Sequence, residues 1–309
     1  MPPRALFRWT SPLLLPAALL AGCGSGPALP SGGTASPVPT AIRVLSGDTG
    51  LAVAGARVTG LAQAVTTDAG GGGSLELAVG TPLTIEAADF FLRETVFRGE
   101  TAFRLWPIRA DAGEAFIQEL VYNHLVSDGS LTRPVSGVFL ELTPAVGDDA
   151  SASAVQAQAA AQTQAATGGV IPFVVTDAAP AGAVAISVRV DPDDPFLRDN
   201  PSYGAITRVT FPGHRISGGS TTYRGLREAA ALPLVAHEMG HALGLGHPSQ
   251  RGLMSPASIA QFTDLTPAEA FAVRMMLLRL PGNRLPDNDR DVEAASAPRP
   301  VTFACPWES

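Results

Sequence analysis

The chain has 309 residues, 46% of them hydrophobic and 16% charged, which is enough for two domains or one extended domain and excludes bulk disorder. Its formal charge of −7 comes with no basic patch, and this excludes a nucleic-acid partner.

The first 22 residues read as an export signal. Arg4 and Arg8 precede an apolar run over 13–20, then small residues at Ala21 and Gly22. The run is too short to span a membrane. Leu20-Ala21-Gly22-Cys23 resembles a bacterial lipobox. That resemblance implies that Cys23 is lipidated and becomes the mature N-terminus, anchoring the protein to the cell envelope outside the cytoplasm. Gly24 is not an acidic retention signal, which favours the outer membrane where one exists. Loss of Arg4 and Arg8 takes the charge from −7 to −9. The second cysteine, Cys305, has no partner if Cys23 carries lipid; otherwise a Cys23–Cys305 bridge stays open.

Residues 23–40 are rich in Gly, Ser and Pro and read as a flexible tether. From 41 to 109 short alternating segments at 42–45, 56–59, 75–79 and 83–87 are separated by Gly-rich turns, which predicts a small antiparallel β-sandwich. Asp48-Thr49-Gly50, Ala54-Gly55-Ala56 and Thr67-Asp68-Ala69-Gly70 resemble the carboxypeptidase-regulatory type of sandwich. The resemblance implies a spacer or binding module.

Residues 110–285 mix both periodicities. Helical spacing covers 114–122, strands are predicted at 135–143, 171–176, 183–190 and 205–211, and a further extended stretch at 216–222. Asp148 or Asp149 caps a predicted Ala/Gln-rich helix over 150–166, for which a low-complexity loop is the competing reading. One helix is expected over 226–243. Another starts at Thr266-Pro267-Ala268-Glu269, a capping box with proline at the first helical position, and stops before Pro281. The fold class expected is α+β, with the tail 286–309 irregular.

Three of the five histidines fall in one window, His237-Glu238-Met239-Gly240-His241-Ala242-Leu243-Gly244-Leu245-Gly246-His247. Four helical residues advance about 400°, so His237 and His241 share a face about 6 Å apart along the axis. Glu238 stands one step round, placed to hold water rather than metal. His247 reaches the same point only if the helix stops and the chain turns back, which Gly244 and Gly246 permit. Three histidine ligands leave a fourth position open, the arrangement of catalytic zinc.

The window resembles the metzincin zinc peptidases, and Leu253-Met254-Ser255-Pro256 resembles their methionine turn in its matrixin form. The resemblance implies a metzincin-like catalytic domain, one catalytic Zn²⁺ on His237, His241 and His247, Glu238 as general base, Met254 beneath the metal, and a protein or peptide substrate. No matrixin-type cysteine-switch segment and no tyrosine after Met254 are present. Asp191-Pro192-Asp193-Asp194-Pro195 reads either as a Ca²⁺ site or as a solvated acidic turn. His124 and His214 read as structural or exposed, and Tyr203 or Tyr223 as candidate oxyanion partners. The competing functions are a tethered binding or adhesion module without turnover, and a zinc hydrolase of non-peptide amides.

Overall fold

The computed structural model describes residues 36–122, 129–289 and 299–307. The export signal, Cys23, the tether as far as residue 35, and His124 lie outside the described residues. Among the described residues no helix is long and apolar enough to cross a membrane. The architecture is mixed α and β with several sheets, compatible with the α+β class.

Alternation builds the first part. Strands β1 (Val38–Ser46), β2 (Arg57–Thr59), β3 (Ala64–Thr66), β4 (Gly72–Leu77), β5 (Pro82–Glu86), β6 (Arg93–Val96) and β7 (Ala102–Leu105) form two sheets, β4-β1-β7 and β3-β2-β5-β6. Their inward residues, among them Ile42, Val44, Val58, Leu83, Ile85 and Phe103, close a core of their own. The expected tether thus ends early, since Val38–Thr40 already belong to β1.

This sandwich is docked rather than hung as a free spacer. Trp106 meets Phe271 edge-on at 5.4 Å, within the second core. Arg93 and Arg98 both reach the buried Asp289 carboxylate, at 3.2 and 3.4 Å. Arg274 donates to Asp48 at 2.8 Å.

In the second part, α1 (Glu114–Ile117) runs into a π-helical turn, Gln118–Tyr122. There follow β8 (Arg133–Pro134), β9 (Val138–Leu142), α2 (Pro144–Gly147), α3 (Ala150–Ala166), β10 (Phe173–Thr176), β11 (Val184–Val190), α4 (Pro195–Asp199), β12 (Tyr203–Phe211), β13 (Arg215–Ile216), β14 (Gly218–Tyr223), α5 (Leu226–Ala229), α6 (Leu232–Ala242), α7 (Pro267–Leu278) and β15 (Arg299–Pro306). The Ala/Gln-rich run is helical, with Asp149 Oδ1 accepting from Ala152 N at 2.8 Å. The capping box of α7 is present as read.

A six-stranded sheet, β10-β9-β11-β14-β12-β15, spans this part. Its first four strands are parallel, β12 is antiparallel to β14, and β15 is antiparallel to β12. Helices α3 and α6 pack against each other beside it.

Two expectations are corrected. The single helix over 226–243 is two, broken at Ala230–Ala231, because Pro233 lacks an N–H and fits only the first turn of a new helix. The tail is not irregular throughout: residues 299–306 form β15. Its prolines, Pro300 and Pro306, are tolerated because the strand is an edge.

Candidate metal centre

Helix α6 buries the whole His237–His241 turn, with His237, Glu238 and His241 each 0% exposed. Gly244 has φ +98°, a left-handed angle that lets the chain leave the helix and bring His247 back. Gly246, grouped with it in the sequence reading, instead donates its N–H to Leu120 O at 2.7 Å. The three Nε2 atoms converge: His237 and His241 are 3.1 Å apart, His237 and His247 3.2 Å, His241 and His247 3.0 Å. His237 Nδ1 lies 2.6 Å from Leu253 O and His241 Nδ1 2.7 Å from Leu245 O. Those carbonyls take the Nδ1 protons and leave the Nε2 lone pairs aimed at one point.

A fourth group joins them. Cys305 Sγ lies 2.8 Å from His237 Nε2, 3.2 Å from His241 Nε2 and 3.6 Å from His247 Nε2. His237, His241, His247 and Cys305 thus offer ligand atoms all within 4.8 Å of one another, a cluster that could hold a metal ion. The three nitrogens suit zinc: tetrahedral bonds of about 2.0–2.1 Å put nitrogens about 3.3 Å apart, close to the 3.0–3.2 Å found, whereas a bond of about 2.3 Å to sulfur asks for about 3.6 Å to each nitrogen, met at His247 and undershot at His237 and His241. Lone pairs this close repel unless a cation lies among them.

Glu238 points into the same region. Its Oε2 accepts from Thr207 Oγ1 on β12 at 2.6 Å, and Thr207 also meets Thr221 at 2.9 Å. Oε1 is buried without a donor in hydrogen-bonding geometry. Burial pushes the carboxyl up to about 7, against the pull of the Thr207 and Cys305 side chains. Burial pushes the His237 imidazole down to about 3, with His247 adding to the effect. Burial, reinforced by Glu238, pushes the Cys305 thiol up; a cation at the cluster reverses that preference.

Met254 is fully buried directly against α6: a Cβ on Gly240 would lie 2.3 Å from its sulfur and 2.8 Å from its methyl. The turn that carries it is pinned by Glu269 of the α7 capping box. Glu269 accepts from Met254 N (2.7 Å), Leu253 N (3.2 Å) and Thr266 N (2.8 Å). One chain of contacts therefore runs from the α7 cap through Leu253 to the ring of His237.

Other candidates fall elsewhere. Asp194 caps α4 and accepts from Arg208 at 2.9 and 3.1 Å, so both its oxygens are engaged, and Asp191 accepts from Asp193 N. Asp194 of this acidic turn thus serves a helix cap and an ion pair. Tyr203 packs edge-on to Phe196, and His214 is half-buried. Tyr223 is buried beside Gln156, and burial pushes its phenol well up.

Sequence reasoning missed Cys305, Thr207 and the second role of Glu269. For Cys305 the signal was the alternation Val301, Phe303, Cys305 in a stretch set aside as irregular. Comparison with protein-family models gives no match, and no curated protein matches the chain.

Proposed function

We propose that the chain is a zinc-dependent endopeptidase of metzincin type. One observation supports it above all: three Nε2 lone pairs converge within 3.0–3.2 Å beside Glu238, whose second oxygen is buried toward the same cluster with no donor in hydrogen-bonding geometry and only the Cys305 thiol near it. Leaving a buried acceptor unmet costs about 1–3 kcal/mol, and a purely structural metal site has no use for it. Zinc, held by His237, His241 and His247, would supply a Lewis acid for the substrate carbonyl and for water.

The chain's own residues do the rest. Glu238 Oε1 takes a proton from water and returns it to the departing amine, while Thr207 fixes the other oxygen. Leu253 and Leu245 orient the two helical imidazoles. Export and a lipid anchor at Cys23 complete the reading. Cys23→Ala should move the protein from the membrane to the soluble envelope fraction; equal solubility of both forms would remove the anchor and leave the zinc site standing.

A second reading is a closed structural site, favoured by Cys305 as a fourth donor. Glu238→Ala separates the two. A peptidase should keep one zinc per chain by elemental analysis and lose about 10²–10⁴-fold of its hydrolysis of dye-labelled casein. Undiminished hydrolysis in that variant, or full zinc occupancy in His241→Ala, would end the proposal.

A further inference from the structure

Strand β15 does more than extend the sheet. Without it, β12 would be the edge beside the histidine cluster, with a row of backbone donors and acceptors open to an extended peptide. Instead β15 pairs with it antiparallel from Tyr203↔Pro306 to Phe211↔Arg299, with a bulge between Tyr203 and Ala205. Its inward residues, two apart, both reach the metal centre. Phe303 stacks on the His241 ring at 4.3 Å with 6° between planes, and Cys305 joins the three Nε2 atoms. Beyond them Trp307 donates its N–H to Ser202 O at 2.8 Å and sits in a notch where a Cβ on Gly204 would come within 2.9 Å of it. Pro306 and Trp307 also wall a cavity of about 420 Å³ against residues 256–261, the loop that follows Met254.

The donor set holds two incompatible designs at once. An open catalytic site needs Glu238 and no fourth protein ligand; a closed structural site needs Cys305 and no buried, underused carboxylate. Both groups are here, and they sit on different elements, Glu238 within α6 and Cys305 on an edge strand. Thr302 and Pro306 of that strand face solvent.

We propose that Cys305 is a displaceable fourth ligand to the metal of the histidine cluster, and that β15 occupies the cleft an extended substrate would take, holding the peptidase latent. The inference rests on the zinc-peptidase reading above. Release needs no oxidant or reductant: the Cys305 sulfur leaves the cluster, takes a proton from solvent, and β15 separates from β12. An extended substrate then pairs with β12 in the register that β15 vacates, its chain running on past the loop at 256–261 that Pro306 and Trp307 leave uncovered.

The test uses the full-length protein with cobalt(II) in place of the native metal, comparing wild type with Cys305→Ser and Cys305→Ala, with circular dichroism to check that each is folded. Wild type should show a sulfur-to-cobalt charge-transfer band in the near ultraviolet, and both variants should lose it while retaining one metal per chain. With zinc restored, both variants should cleave dye-labelled casein about 10–100-fold faster than wild type, the gain expected if the open form is about 1–10% populated. An unchanged spectrum with metal bound would overturn Cys305 as a ligand and leave the peptidase reading intact. Loss of the band without a gain in hydrolysis would overturn the latch. A wild-type chain that binds no metal would overturn the peptidase reading itself and this inference with it.

Discussion

Glu269 links the stability of the fold to the histidine cluster, and its removal should be felt in both. Its carboxylate is fully buried and takes hydrogen bonds from Met254 N and Leu253 N, themselves on residues that are 0% and 1% exposed. Thr266 N and Oγ1 add two more, at the half-buried end of α7. Glu269→Ala strips two buried N–H groups of their acceptor, at about 1–3 kcal/mol each, so about 2–6 kcal/mol in all. That is a large part of the 5–15 kcal/mol or so that holds a typical domain together. Glu269→Gln is the more informative variant. It keeps one oxygen and loses about half of that, so it should remain folded. Leu253 O would then be less firmly held against His237 Nδ1, and a change in such an orienting contact typically weakens metal affinity about 10–100-fold. Urea denaturation measures the first effect, and competition with a chromophoric chelator the second. A Gln variant that melts early but holds metal as tightly as wild type would refute the link from Glu269 through Leu253 to the histidine.

Two further outcomes follow from the packing. Gly240→Ala should cost about 1–3 kcal/mol by overpacking Met254, and Met254→Ala should recover part of that loss, so additive losses in the double variant would show that the two do not touch. The hydrogen bond from Arg208 holds the Asp194 carboxyl below its usual range, so this pair contributes stability above the unfolded pKa of about 3.9 and loses it as pH falls through the lower folded value. Asp194→Asn should therefore be less stable than wild type by about 1–3 kcal/mol near neutral pH, with the gap closing below about pH 4; a gap that did not change with pH would show that the carboxylate charge plays no part.

What the sequence determined alone was local. The 237–247 window carries its geometry in its spacing, because helical rotation puts His237 and His241 on one face and Gly244 supplies the turn for His247. The α7 capping box and the alternating strands of the first part were legible for the same reason: each depends on residues within one element. Only the tertiary structure could bring Thr207, Glu269 and Cys305 to the site. They lie 31 residues before Glu238, 15 after Met254 and 68 after His237. Nothing in the immediate neighbourhood of Cys305 signals a place among the three histidines. Its position comes from the pairing of β15 with β12, a long-range ladder in which alternation turns Phe303 and Cys305 inward while prolines at Pro300 and Pro306 make the same stretch read as a loop.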